Sequence, residues 1–272
     1  MRILSLFFVL AMLFTACGGS TSTEGTDDTA ESQDTTATEE MEEGKLTLTP
    51  MPKSTAYPNA EIESVMYEDG QFSFEIGGGE YELGVQTPDA DAKMCANSAK
   101  GQHIHLIIDD NPYAAKYEAE FEYDLPDGEH YMLAFLSRSY HESIKTDKAF
   151  EANKIFVKDN NFSAVEDITE PLLFYSRPKG TYTGKAETDK VMLDFYLVGV
   201  PNFGTDHFVE ADINGQTFTI DKWQPYYIEG LPMGETTVKL TLVDAEGNAV
   251  ETPLNPVTRK ITLQADPAEE AM

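Results

Sequence analysis

Basic residues are scarce in this chain, with 19 Lys and Arg set against 48 Asp and Glu, for a formal net charge of −29. Nucleic acid is therefore excluded as a partner, because holding its phosphate backbone takes clustered Lys and Arg. Cysteine is rarer still, at two residues (Cys17 and Cys95), and Trp223 is the only tryptophan. Catalytic signatures are missing as well: there is no G-x-S-x-G, no H-E-x-x-H and no phosphate-cradling glycine loop. Nor does any stretch carry the 3.6-residue periodicity of a long amphipathic helix.

The N-terminus is more explicit. Arg2 precedes an apolar run from Ile3 to Phe14, and Thr15-Ala16 lead into Cys17, Gly18 and Gly19. About a dozen apolar residues suit a secretory signal and fall short of the roughly 20 needed to span a bilayer. The segment resembles a bacterial lipoprotein signal, with Phe14 where Leu is usual. The resemblance implies a signal peptide over 1–16 and lipid on Cys17, which would become the mature N-terminus. Cys95 is then the only free thiol and no intrachain disulfide can form.

Residues 18–44 hold no Lys, Arg or aromatic residue, but nine acids: Glu24, Asp27, Asp28, Glu31, Asp34, Glu39, Glu40, Glu42 and Glu43. Such a segment cannot bury enough apolar surface to offset its ordering entropy. Residues 17–44 are therefore expected to be the lipidated cysteine and a disordered acidic tether, with a reach of roughly 30 Å. Taking those nine acids and Arg2 from the 48 acids and 19 bases leaves 39 and 18, so the body still carries about −21. That charge opposes adhesion to an anionic lipid surface and leaves the lipid as the membrane attachment.

The body reads as all-β. Short runs of period-two alternation cover Phe72 to Ile76, Tyr81 to Val85, His103 to Ile108, Tyr131 to Leu136, Met192 to Val198, Gln216 to Ile220, Val238 to Leu242 and Lys260 to Leu263. Turn signals such as Pro126-Asp127-Gly128 and Glu246-Gly247-Asn248 separate them. The pattern also repeats. Leu125-Pro126-Asp127-Gly128-Glu129 with Met132/Ala134/Leu136 returns, at an offset of 106, as Leu231-Pro232-Met233-Gly234-Glu235 with Val238/Leu240/Leu242. Upstream, Leu83-Gly84-Val85 matches Leu197 to Val200, and His105 matches His207. We expect two tandem immunoglobulin-like β-sandwiches, over 45–158 and 171–265, with a linker at 159–170 and a disordered tail at 266–272. In the first unit Met132, Ala134 and Leu136 should face inward. The opposite face, Tyr131, Leu133 and Phe135, is too apolar for solvent and should be covered by the other unit or a partner.

Four of the five histidines fall in the first unit: His103, His105, His130 and His141. In a strand His103 and His105 share a face at about 6.6–7 Å, a workable spacing for two ligands of one ion. With His130 at a strand mouth and His141 in the loop after that strand, a Zn or Cu site is one reading. The other is that these imidazoles satisfy loop backbone and stack on nearby tyrosines.

Two further clusters carry competing readings. Arg138, His141, Glu142 and Lys145 offer a polar loop suited to a phosphate or carboxylate of a peptide or protein ligand, and Arg177 and Lys179 open the second unit with a similar set. Alternatively, these groups form salt bridges within an acidic protein. Trp223, Tyr226 and Tyr227 could stack on a sugar ring, or Trp223 could cap the second core. Asp109-Asp110-Asn111-Pro112 and Asp244 to Asn248 lack EF-hand spacing and read as turns.

Finally, GQHIH at Gly101 to His105, Pro112-Tyr113, FLSRSYHES at Phe135 to Ser143, FYSRPKGTYTG at Phe174 to Gly184 and Trp223-Gln224-Pro225-Tyr226 are distinctive. Together they resemble an uncharacterised family of bacterial envelope lipoproteins, whose members often carry the label phosphopeptide-binding protein. The resemblance covers residues 46 to 265. It implies paired β-domains and an outer-membrane or periplasmic location, and brings no catalytic residues. The reading that results is a non-enzymatic, membrane-anchored binding or scaffolding protein.

Overall fold

The computed structural model describes residues 45–270. The signal at 1–16, Cys17 and the tether to residue 44 lie outside the described residues. The fold is all-β, 50% strand and 4% helical, and the described residues belong to one compact unit.

Among the described residues seventeen strands follow in chain order: β1 Thr47–Pro50, β2 Glu61–Glu68, β3 Gln71–Gly77, β4 His103–Ile108, β5 Ala114–Lys116, β6 Glu120–Glu122, β7 Gly128–Ser137, β8 Phe150–Lys158 and β9 Asn161–Asp167, then β10 Leu172–Arg177, β11 Gly180–Thr183, β12 Val191–Val198, β13 His207–Ile213, β14 Gln216–Ile220, β15 Tyr226–Glu229, β16 Gly234–Asp244 and β17 Val257–Gln264. They form two immunoglobulin-like sandwiches. The first pairs a sheet β2-β3-β6 with a sheet β5-β4-β7-β8-β9; the second pairs β1-β15-β12-β10 with β11-β17-β16-β13-β14.

The duplication is visible in strand order. Sheets β2-β3-β6 and β5-β4-β7-β8 have their counterparts in β10-β12-β15 and β14-β13-β16-β17. The register corrects one detail of the sequence match. Ile108 pairs with Met132 and Ile213 with Val238, so His105, which pairs with Phe135, corresponds to Glu210, which pairs with Thr241; it does not correspond to His207. The run Tyr81 to Val85 is no strand but a turn at Leu83-Gly84, because Gly84 takes φ +79° and breaks the pleat. The counterpart of β12 is therefore β3.

Three boundaries also move. β1 precedes the first sandwich in sequence yet pairs antiparallel with β15 of the second, Thr47 opposite Glu229. The expected linker at 159–170 is largely β9, paired with β8 through Asn153↔Asp167 to Lys158↔Asn161. In the tail expected at 266–272, Pro267–Glu270 forms one helical turn, and residues 271–272 lie outside the described residues.

Each sandwich has its own core. Ile104, Leu106, Ile108, Met132, Ala134 and Leu136 face inward in the first, as Val209, Ala211, Val238, Leu240 and Leu242 do in the second. A third apolar layer lies between them. Ile107, Leu133 and Phe135 on the outer face of β4 and β7 pack with Leu172, Phe174 and Tyr196 on the outer face of β10 and β12. This explains why HIHLII, LLFYSR and VMLDFYLV read as nearly unbroken apolar runs: strands covered on both faces need no polar side. The second sandwich is thus what covers the apolar face of Leu133 and Phe135.

Candidate metal site

The site grows from the alternation of β4. Since Ile104 and Leu106 point into the first core, His103 and His105 point with Ile107 into the layer between the sandwiches, and both are fully buried. His141 arrives from the loop after β7. It is in the left-handed region at φ +71°, within a tight turn in which its N–H donates to Arg138 O (2.8 Å) and Arg138 N–H donates to Glu142 O (2.9 Å).

The three imidazoles converge. His103 Nε2 lies 2.9 Å from His105 Nε2 and 3.0 Å from His141 Nδ1. All three nitrogens fall within 4.8 Å of one another. Ligands at about 2.0 Å from a tetrahedral ion stand about 3.3 Å apart, so the two pairs made by His103 need to open by a few tenths of an ångström to hold Zn, while His105 and His141 must draw closer around it. His103 Nδ1 is 2.8 Å from Gly101 O, which can only accept; Nδ1 therefore carries the proton and Nε2 presents its lone pair to the cluster. His105 Nδ1 contacts Ser176 Oγ of β10 at 3.3 Å. These outward bonds are the kind that orient metal-bound imidazoles.

Electrostatics keep the rings neutral. Burial, reinforced by Arg177 and Lys179, lowers His103 to about 4. Burial likewise drives His105 and His141 well below the ordinary value, with the neighbouring histidines, Arg177 and Lys179 acting in the same direction. Neutral imidazole is the form that binds metal.

Aromatic rings wall the cluster. Tyr113 stacks on His105 with centroids 3.7 Å apart at 6°, Phe135 lies 4.9 Å from the same ring, and Tyr117 lies 4.8 Å from His103. The Tyr113 hydroxyl is 3.4 Å from His141 Nδ1 and accepts from Arg177 Nη1 at 2.6 Å. Gly101 makes the entry to β4 workable: its φ is +86°, and a Cβ there would sit 2.5 Å from the backbone of Gly84.

The other sequence candidates are placed elsewhere. His130 is not part of the cluster; its Nδ1 lies 2.7 Å from Asp109 Oδ2 and its Nε2 3.0 Å from Pro126 O. Although burial pulls the other way, the Asp109 carboxylate raises its pKa. Arg138, Glu142 and Lys145 do not present themselves to a ligand. Arg138 donates to Thr55 O (2.6 and 3.0 Å), Ser143 O (3.2 Å) and Glu142 Oε1 (3.3 Å), and Glu142 also accepts from Ser54. Lys145 pairs with Asp194 Oδ1 at 2.6 Å. They build the loop that carries His141. Trp223 donates to Phe195 O (3.0 Å) and packs edge-on against Tyr196, while Tyr226 and Tyr227 are buried, so these three rings form no shared exposed platform. Strand spacing gave Tyr113 and Ser176 no place in the metal site, although both lie in segments that the sequence singles out. Asp110 to Pro112 precede Tyr113 as a turn, and only the sheet edge at β5 brings its ring to β4.

No family model matches the chain, and no curated protein does. Among solved structures it is similar to the fibronectin(III)-like modules of Clostridium thermocellum CbhA, at 11% identity over 81% of this chain and 94% of that one, with a TM-score of 0.28. It is also similar to the extracellular domain of a hybrid two-component system from B. thetaiotaomicron, at 12% identity over 78% of this chain and 39% of that one (TM-score 0.27). A third is SGBP-B of the Bacteroides ovatus mixed-linkage glucan utilization locus, in complex with a mixed-linkage heptasaccharide, at 13% identity over 80% of this chain and 47% of that one (TM-score 0.18).

Proposed function

We propose that this chain is a non-enzymatic envelope lipoprotein, anchored through Cys17, whose first sandwich binds one Zn or Cu ion through His103, His105 and His141. The convergence of three neutral ring nitrogens in an aromatic-walled site, with His103 and His105 buried and His141 half-buried, supports the reading. In the structure these nitrogens pair with one another, His103 Nε2 with His105 Nε2 and with His141 Nδ1, and one metal ion taking the place of those bonds would engage all three lone pairs at once. The signal-like run ending at Cys17 supports the anchor and the envelope location. The Arg138, Glu142 and Lys145 side chains, being bonded internally, give a peptide no free donor set, so metal takes precedence over the peptide reading.

Calorimetric titration of the chelator-stripped protein tests this. One equivalent of Zn²⁺ or Cu²⁺ should bind, and the heat should vanish when His103 and His105 are both changed to Gln. Absence of heat with both metals in the unaltered protein would overturn the proposal.

A further inference from the structure

We infer that Tyr113 is the fourth ligand of this site, its phenolic oxygen closing the three-histidine set with Arg177 as its charge partner; the inference rests on the metal reading above. Position is the first argument. Tyr113 is 2% exposed, and its hydroxyl stands 3.4 Å from His141 Nδ1, close to the spacing of about 3.3 Å between neighbouring ligands of a tetrahedral ion. The ring is also fixed on both sides. His105 occupies one face at 3.7 Å, and Lys179 Nζ lies 3.9 Å from the centroid, which only the opposite face has room for. Lys179 further donates to the Tyr113 backbone carbonyl at 2.6 Å.

Charge is the second argument. Arg177 is 4% exposed, its Nε is buried without a partner, and its Nη1 donates to the Tyr113 hydroxyl at 2.6 Å. Among the described residues no carboxylate forms an ion pair with Arg177 or with Lys179. A buried guanidinium normally finds an anion, and here the group that touches both cations is a phenol. A divalent ion placed beside these two cations would add like charge to a site that already lacks an anion. A metal-bound phenolate oxygen supplies one negative charge where the three meet. The step balances simply: the oxygen–metal bond forms, the phenolic proton passes to solvent water, and nothing is oxidised or reduced.

Cu²⁺ is the probe, because a phenolate ligand gives a visible charge-transfer band that imidazole ligands do not. The full-length protein loaded with one equivalent of Cu²⁺ should show that band. Tyr113→Phe should lose it while keeping one equivalent of copper and nitrogen hyperfine structure in the electron paramagnetic resonance spectrum. Tyr117→Phe, altering the ring beside His103, should retain it. Copper binding in the unaltered protein without the band would overturn the fourth ligand and leave the three histidines standing. Survival of the band in Tyr113→Phe, or its loss in Tyr117→Phe alone, would also overturn it. Failure to bind copper or zinc at all would overturn both readings.

Discussion

Lys145 and Asp194 form an ion pair across the two sandwiches: Nζ in the loop after β7 lies 2.6 Å from Oδ1 on β12, and the carboxylate is wholly shut from solvent. Asp194 also accepts from the backbone N–H of Ser143 (2.9 Å) and of Phe195 (3.0 Å). The loop that presents His141 is thus tied to the second sandwich by a carboxylate both of whose oxygens accept hydrogen bonds.

Removing that charge should therefore be felt globally. Asp194→Ala leaves Lys145 and the Ser143 N–H without their partner, a loss of about 3–5 kcal/mol for a broken buried pair. Urea unfolding should show a lower midpoint, and pairing the change with Lys145→Met should recover part of it.

Acid should destabilise the metal-free protein in a defined window. His103 is near 6.5 when unfolded and about 4 when folded, so between those values the unfolded chain binds the extra proton. Stability from keeping this ring neutral is fully present above about 6.5 and is lost as pH falls toward 4. For His103 alone the loss is on the order of 3 kcal/mol. His105 and His141 shift in the same direction. Thermal melts of the stripped protein at pH 7 and pH 5 should differ, and saturating zinc should raise the melting temperature at pH 7 by mass action.

The histidines should divide sharply in metal affinity. Changing His105 to Gln removes a ligand and should abolish tight binding. Changing His130, engaged with Asp109 and Pro126, should leave zinc affinity unchanged. Paired titrations of the two variants would check this.

Gly101 should not tolerate alanine. The added methyl would approach the Gly84 carbonyl carbon and oxygen at 2.5 Å and Val85 O at 2.7 Å, on a backbone at φ +86°. Both the strain and the clash fall on the peptide whose carbonyl orients His103, so Gly101→Ala should cost about 2 kcal/mol or more and weaken metal binding. Denaturation and calorimetry on the same variant would report the two effects.

Much of this architecture was legible in the sequence, and where it was not the reason is physical. The alternation in His103 to Ile108 and Tyr131 to Leu136 fixed the strands, their inward residues and the need for a cover over Leu133 and Phe135. It also placed His103 and His105 on one face. What alternation cannot convey is which loop reaches that face. His130 and His141 looked equivalent, but the Asp109 carboxylate holds one while Arg138 and its bonds to Thr55 and Ser143 swing the other inward. Tyr113, Ser176 and Arg177 join the site only through sheet edges and the inter-sandwich layer, contacts without local periodicity. The same limit hid β1, four residues whose partner lies about 180 positions away.

That short strand has a mechanical corollary. Because Thr47–Pro50 is sewn into the second sandwich before the chain turns back to build the first, the halves are interlaced rather than strung in series. A protease nick between Asp167 and Leu172 would leave two fragments clasped by β1, eluting together until a denaturant unpicks them. Conversely, the C-terminal half expressed alone would begin life with an open, unpaired β15 edge.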